Sequence, residues 1–254
     1  MEVSATECPL EEILRWRDLH RHEMQCQIIS DSIPGRKGWT RSYVLKIDGL
    51  PVGYGLLAIG GPWKEKPAIL EYYVQPQFRS KVFALFEALL DATGAARIET
   101  QTNSPLLPVM LHSFTENLFC EKILFRDAFT TRLTVDGAEF RRATPDDIPA
   151  MEAHKLDSGA GWVVAVEGSI AAAGDILFHY NRPFGDIYMA VAEQFRRRGL
   201  GAYLVQELKR ICYEGGNIPG ARCNPDNLAS RNTLQKAGFV PCGNILVGEV
   251  RKRA

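Results

Sequence analysis

The chain has 254 residues, 46% of them hydrophobic and 24% charged, enough apolar material for one large buried core or two smaller ones. Thirty basic residues balance thirty acidic ones, so no net field draws it to nucleic acid or to an anionic membrane. Its six cysteines (Cys8, Cys26, Cys120, Cys212, Cys223 and Cys242) form no CxxC pair, which argues against a zinc ribbon or a disulfide framework and predicts reduced thiols.

The opening MEVSATECPLEE is acidic and has no apolar stretch of signal-peptide length. No apolar run approaches the roughly 20 residues of a membrane span, so a cytoplasmic protein is expected. His20 and His22 in LHRHEM point to different faces of a helix and no acidic cluster follows them; they read as solvated, and no metal is expected. Asp48-Gly49 is a hairpin-turn dipeptide between SYVLKI and PVGYGLLAI. AILEYYVQPQF then gives a strand, and Val82, Phe83, Phe86, Leu89 and Leu90 give a helical apolar stripe. A join between two halves is expected near Val135-Asp136-Gly137. FRRATPDDIPAM reads as a strand and a helix start, with Thr144 or Asp146 as cap and Pro145 in the first turn, and LDSGAG ends that helix early. Glu167-Gly168 makes a second hairpin between WVVAV and SIAAAGDILF. Thirty residues separate Gly49 from Arg79 and 28 separate Gly168 from Arg196, so the halves repeat one pattern.

The most informative stretch is RRRGLG, Arg196 to Gly201. Before it, Ile187, Met189 and Val191 alternate with Asp186, Tyr188 and Ala190 as in a strand. After it, Leu204, Val205, Leu208, Ile211 and Cys212 make a helical stripe, with Gln206, Glu207, Lys209 and Arg210 turned away. The glycines therefore open a helix, whose unpaired N–H groups and dipole attract phosphate. Gly199 and Gly201 let the amides from Arg197 to Ala202 approach a pyrophosphate, and arginines 196 to 198 add charge. Downstream, Asp226 or Asn227 caps a further helix that Gly238 ends in a left-handed conformation, with Phe239 packing back. Cys212 reads as packing and Cys223 as a small strand residue.

The strand with RRRGLG resembles the GNAT acyltransferase superfamily, whose acetyl-CoA signature is (R/Q)xxGx(G/A); Arg196, Gly199 and Gly201 fill its fixed positions. NLASRNTLQKAGF resembles the family's second CoA-side segment through Asn227, Ser230, Lys236, Gly238 and Phe239. The resemblance implies an α/β protein with a mixed sheet, built as two tandem GNAT-like domains, 1–135 and 136–254. Each is expected to be a mostly antiparallel sheet flanked by helices, a layout also found in mycothiol synthases. The first half departs from the signature, because Arg79, Ser80, Lys81, Val82, Phe83 and Ala84 fill the loop and Val82 stands where the second half has Gly199. SPLLPVMLHSFTENLF also lacks the Asn-to-Gly-Phe helix, so that domain is expected to be degenerate and non-catalytic. Few residues separate FRRATPDDIPAM from the strand at Trp162, so the second helix common in the family, in a region that by the resemblance often walls the acceptor pocket, is expected to be missing. Trp39, Trp63 or Tyr72 of the first domain are candidates for that wall, with core packing as the competing assignment.

By the same resemblance, Met189, Val191, Arg196, Arg197, Arg198, Gly199, Leu200, Gly201, Ala202, Asn227 and Ser230 bind acetyl-CoA as cosubstrate, and the Val191 N–H supports the oxyanion. The implied reaction is direct acetyl transfer to a small-molecule or protein amine in a ternary complex, by a monomer or homodimer. The family's tyrosine position is Leu234 and its glutamate position is Arg222, neither suited to proton transfer. Tyr188 and Asp186 are the catalytic candidates, followed by Glu167 and His179; the competing assignments are a sheet aromatic for Tyr188 and a solvated strand-end charge for Asp186. Two other readings stand beside this one. The first is a protein that binds acetyl-CoA as a sensor without transferring its acetyl group. The second is a nucleic-acid module using RRR and the C-terminal RKR, disfavoured by neutral charge and the lack of interleaved aromatics.

Overall fold

A computed structural model describes residues 2–251; Lys252 and Arg253 of the C-terminal basic run lie outside the described residues. Along the chain the elements are β1 (Val3–Cys8), α1 (Leu14–Met24), β2 (Thr40–Ile47), β3 (Leu50–Ala58), β4 (Ala68–Val74), α2 (Val82–Thr93), β5 (Arg97–Gln101), α3 (Leu107–Phe114) and β6 (Thr115–Asp127). The pattern then recurs as β7 (Ala138–Arg142), α4 (Ile148–Ala153), β8 (Trp162–Val166), β9 (Ser169–Leu177), β10 (Phe184–Val191), α5 (Leu200–Glu214), β11 (Ile218–Cys223), α6 (Leu228–Lys236) and β12 (Phe239–Val250). Both halves thus give a mixed, mostly antiparallel α/β arrangement.

The chain divides into two compact units, one of residues 1–122 with 243–254 and one of residues 123–242. In the first unit the sheet runs β1-β2-β3-β4-β5-β12, with β12 antiparallel to β5 from Ile245↔Gln101 to Glu249↔Arg97. In the second it runs β7-β8-β9-β10-β11-β6, with β6 antiparallel to β11 from Ile123↔Cys223 to Arg126↔Gly220. Each sheet has one parallel pair, β4–β5 and β10–β11. The boundaries fall at 122/123 and 242/243 rather than at the 135/136 expected from sequence. The reason is topological: the last strand of each repeat crosses over, so 123–127 complete the second sheet and 243–250 the first.

The repeat is visible in local geometry. Asp48 and Gly49 have φ of 46° and 79°, Glu167 and Gly168 have 49° and 79°, and each pair closes a two-residue hairpin of the primed type that matches strand twist. At the strand-to-helix turn, the Arg79 Nε–H donates to the Val74 carbonyl (3.0 Å) and the Arg196 Nε–H to the Val191 carbonyl (3.3 Å).

The second unit buries its apolar faces on both sides of the sheet. Leu204, Val205, Leu208 and Cys212 of α5 pack with Ile187, Phe125, Ala221 and Phe239, whereas Met151 and Leu156 pack with Val163, Ala165 and Ile170 on the other face. Each large aliphatic side chain removed from water there contributes about 1.5–3 kcal/mol. Burial also pushes the Cys212 thiol up to about 11, in keeping with a packing role. Lys209, expected among the outward residues of α5, is instead buried: its ammonium meets Asp127 (2.5 Å) and the carbonyls of Phe129 (2.8 Å) and Ala237 (2.7 Å). Thr144, not Asp146, caps the 3-10 turn Pro145–Asp147 that leads into the helix at 148. The Asp147 carboxylate accepts from the Thr144 N–H (2.8 Å) and from both Arg141 nitrogens (2.7 Å each).

In the first unit His20 is buried rather than solvated, while His22 is exposed. The His20 Nδ1 lies 3.0 Å from the Tyr54 hydroxyl, in a cluster centred on buried Glu71. That carboxylate accepts two Arg17 N–H groups (both 2.9 Å) and the Tyr54 hydroxyl (2.7 Å). A helix face turned toward a sheet can take a histidine inside when the sheet supplies a polar partner. Among the described residues no helix is long and apolar enough to cross a membrane, and no group of three His, Cys, Asp or Glu side chains is placed to hold a metal ion.

Candidate active site

Strands β10 and β11 pair only from Phe184↔Ile218 to Asp186↔Gly220 and then part, whereas β10 stays paired with β9 to Val191↔Ala172. The Ala192 N–H donates to the Ala171 carbonyl (2.9 Å), so even-numbered residues turn their main chain toward β9. Ile187, Met189 and Val191 therefore turn their N–H and C=O groups to the edge from which β11 has departed. An open strand edge of this kind accepts an extended, amide-containing ligand as an added strand.

At the end of that edge the chain turns into α5. Arg197 (φ 62°) and Gly199 (φ 83°) both adopt left-handed conformations, and Gly199 is the residue before the first helical turn. A Cβ at Gly199 would find only ordinary contacts, Val135 Cγ2 at 3.6 Å and Lys236 Nζ at 3.9 Å, so its backbone conformation is what calls for glycine. At Gly201 a Cβ would come within 3.1 Å of Thr233 Cγ2 and 3.3 Å of Val191 Cγ2; this glycine lets α5, α6 and β10 close together. On α6, Asn227 is the N-cap, its Oδ1 accepting the Ser230 N–H at 3.0 Å. Its amide NH2 group makes no hydrogen bond among the described residues and is available to a ligand. Gly238 ends the helix at φ 93°, and Phe239 behind it is buried.

These features border one groove of about 700 Å³, open to solvent. Ten of the eleven residues assigned to the cosubstrate line it: Met189, Val191, Arg196, Arg197, Gly199, Leu200, Gly201, Ala202, Asn227 and Ser230. Arg198 does not; it borders a smaller neighbouring pocket, its guanidinium 5.6 Å from the Phe195 ring centre. Sequence reasoning missed His154 and Lys155, which border the groove from the end of α4. His154 is held by Nδ1 against the Ile170 carbonyl (2.6 Å), leaving Nε2 for other partners. No motif marks them, because only the shortness of α4 brings them there.

The two catalytic candidates lie on β10 but do not line the groove. Tyr188 packs on the α4 face of the sheet, and its hydroxyl donates to Asp157 Oδ2 at 2.7 Å. Burial, then this bond to a carboxylate, hold its pKa well above that of a free phenol, while the same bond and the Gly159 N–H lower Asp157. Asp186 is buried, not solvated, and its Oδ2 meets His179 Nε2 (3.1 Å) and Arg222 Nε (3.2 Å). Next to it, burial and then the Asp186 charge push the Tyr180 hydroxyl far up. Glu167 is exposed in its hairpin, and Leu234 is buried in the core, so neither reaches the groove.

The corresponding place in the first unit is closed. There β4 pairs with β5 only at Ala68↔Arg97 and Ile69↔Ile98, so the strands part in the same way. Tyr72, at the position of Met189, is buried with its hydroxyl donating to the Val82 carbonyl (2.6 Å) and its ring edge-on to Phe86. A phenol bonded to the first residue of α2 occupies the space a ligand would need. Trp39 and Trp63 pack on each other and against Ile33, Ala58, Ala68 and Leu70, and the Trp63 indole donates to Glu99.

Residues 124–239 match the family model described as the acetyltransferase (GNAT) family. No curated protein matches the chain in sequence. Among solved structures, a GNAT-family acetyltransferase from Colwellia psychrerythraea is similar at TM-score 0.75 and 13% identity, covering 99% of this chain and 100% of that one. A tandem GNAT protein from the clavulanic acid biosynthesis pathway, solved without AcCoA, gives 0.63 at 12% identity with both chains fully covered. A GCN5-related N-acetyltransferase from Sphaerobacter thermophilus gives 0.59 at 15% identity, covering 99% and 97%.

Proposed function

From the premise that this chain carries a GNAT acetyltransferase domain over residues 124–239, we propose that it transfers the acetyl group of acetyl-CoA directly to a small-molecule or protein amine in a ternary complex. The observation that carries the reading is the groove where the open β10 edge, the left-handed turn at Gly199 and the capped end of α6 converge. Bound there, acetyl-CoA supplies a thioester whose carbonyl is activated toward nitrogen. The main-chain groups of Met189 and Val191 hold the pantetheine amides and place an N–H at the carbonyl oxygen, where one such donor contributes about 3–4 kcal/mol in related acyl-transfer sites. The amides from Arg197 to Ala202 and the end of α5 hold the pyrophosphate, and the Asn227 NH2 group donates to the pantetheine arm.

An alkyl ammonium has a pKa of about 10, so nitrogen must lose a proton before attack. In this reading Tyr188 is the proton donor to the leaving thiolate, kept protonated by burial and Asp157. Asp186 orients His179, which accepts the amine proton. The first domain, 1–135 by sequence, is non-catalytic because Val82 and Tyr72 close its equivalent groove. The burial of Leu234, at the position where the family resemblance implies a tyrosine, favours a second reading, an acetyl-CoA sensor. Thiol release from acetyl-CoA across a panel of diamines, aminoglycoside-type amines and lysine peptides separates the two. Amine-dependent release supports transfer, and saturable binding without release for any amine supports the sensor.

A further inference from the structure

Past Asp186↔Gly220 the parallel strands β10 and β11 part, and the next residues to turn to the α4 face on either side of the parting are Tyr188 and Arg222. Alternation settles the face: Ile187, Ala221 and Cys223 pack with α5, so Asp186, Tyr188 and Arg222 turn the other way. The Arg222 Nε lies 3.2 Å from Asp186 Oδ2 and its Nη2 3.5 Å from His179 Nε2, while Nη1 makes no hydrogen bond among the described residues. Arg222 is 32% exposed and Asp186 only 6%, so the guanidinium reaches solvent where the carboxylate does not.

This cluster is poorly balanced for the base assigned to it. A neutral His179 that donates its Nε2–H to Asp186 (3.1 Å) keeps the lone pair on Nδ1. The charges of Asp186 and Arg222 cancel, so a proton accepted by His179 leaves positive charge in excess, and the neighbouring guanidinium opposes it. An anion on the Nη edge of Arg222 would restore neutrality. Charge across the face points to the same ligand. On one side of Tyr188 stand Asp157, bonded to its hydroxyl at 2.7 Å, and Asp175, its partner on β9. On the other stand Arg222 and, diagonal to it on β6, Arg126, which has no ion-pair partner among the described residues.

We propose that the acceptor is an amine carrying its own carboxylate, a free amino acid in zwitterionic form, and that Arg222 binds that carboxylate through Nη1 and Nη2. The inference rests on the acetyl-transfer reading above and narrows its acceptor. The amine lies between Tyr188 and His179, and the carboxylate lies toward β11, where a guanidinium fork matches its two oxygens. The ligand's negative charge then offsets the proton that His179 takes up.

The test measures kcat/KM at saturating acetyl-CoA for matched pairs, each an amino acid and the amine left when its carboxylate is removed: phenylalanine and phenethylamine, leucine and 3-methylbutylamine, lysine and 1,5-diaminopentane, 4-aminobutanoate and propylamine. Wild type should favour the carboxylate-bearing member of at least one pair by about tenfold to a hundredfold, the range of hydrogen bonds to a charged group, and the preference should shrink as salt rises. Arg222→Gln should cut that preference at least fivefold, chiefly through a higher KM for the amino acid, and Arg222→Lys should retain part of it. Both variants should bind acetyl-CoA as wild type does, which shows that they are folded. Plain amines, or lysine peptides blocked at both ends, used as well as or better than every amino acid overturn the proposal and leave the transfer reading intact. A preference undiminished in Arg222→Gln, or an equal loss for both members of a pair, overturns the role of Arg222. Saturable binding of acetyl-CoA with no turnover of any member overturns the transfer reading and this assignment with it.

Discussion

Replacing Lys209 by methionine keeps most of the length of the side chain but removes the ammonium that ties three segments together and stands 5.5 Å from the centre of the Phe239 ring. Asp127 would keep only the Tyr213 hydroxyl, at 2.9 Å, and the carbonyls of Phe129 and Ala237 would lose their donor. Lys209 and Asp127 are 6% and 8% exposed, so water does not replace the lost partner. Breaking a buried pair from one side costs about 3–5 kcal/mol. At about 1.4 kcal/mol per tenfold, the open forms of α5 become about 100- to 4,000-fold more populated. Hydrogen exchange read by mass spectrometry on peptides from α5 and α6 measures this within the second unit, and their protection should fall by that factor. Adding Asp127→Asn should restore at least tenfold of it, since the amide no longer leaves a buried charge. Because Lys209 joins α5 to the end of α6, acetyl-CoA affinity should weaken in parallel in the single variant. Exchange within about threefold of wild type, or no recovery in the double variant, would refute the argument that this lysine is an internal strut.

Tyr188→Phe should lower turnover at least a hundredfold with acetyl-CoA affinity unchanged if the hydroxyl donates the proton; a change below fivefold would reduce Tyr188 to an anchor for Asp157. Its pKa is raised, so the hydroxyl stays protonated through neutral and mildly basic pH, and the basic limb of a pH–rate profile should not move when Asp157→Asn is introduced. Asp147 is depressed well below the usual carboxylate range, first by Arg141 and then by the Thr144 N–H, so its contribution to stability is present above the unfolded value near 4 and is lost as pH falls below it. Urea titrations at pH 7 and pH 3 should show Asp147→Asn less stable than wild type at pH 7 and a smaller gap at pH 3; an equal gap at both would contradict the assignment.

Much of the candidate groove's lining was legible because it is local. RRRGLG, the alternation before it and the capped helix after Asn227 are each encoded within a few residues, and two-residue hairpins with positive φ follow directly from Asp48-Gly49 and Glu167-Gly168. What escaped is long-range. The 122/123 and 242/243 boundaries depend on which strand edge the last segment of each repeat finds, and neither β6 nor β12 carries a residue that says so. One consequence is practical: a fragment beginning at residue 136 lacks the β6 segment that pairs with β11, so it is not a clean test of the second domain. Charged side chains were the other failure. Lys209, His20 and Asp186 sit at positions that periodicity assigns to solvent, and each is drawn inside by a partner 34 to 82 residues away or, for Asp186, by neighbours on β11 and the β9–β10 loop. Periodicity reads polarity and cannot see such partners. Arg198 shows the same limit at short range, since three successive arginines look equivalent until the turn gives the third a different face.

Calorimetric titration of acetyl-CoA into the intact protein and into Gly199→Glu tests the central claim most directly. The account predicts saturable binding of one equivalent per chain, lost in the variant, because a carboxylate and a left-handed side chain at position 199 oppose the pyrophosphate. The absence of binding to the wild type, a second equivalent, or undiminished binding to the variant would contradict it.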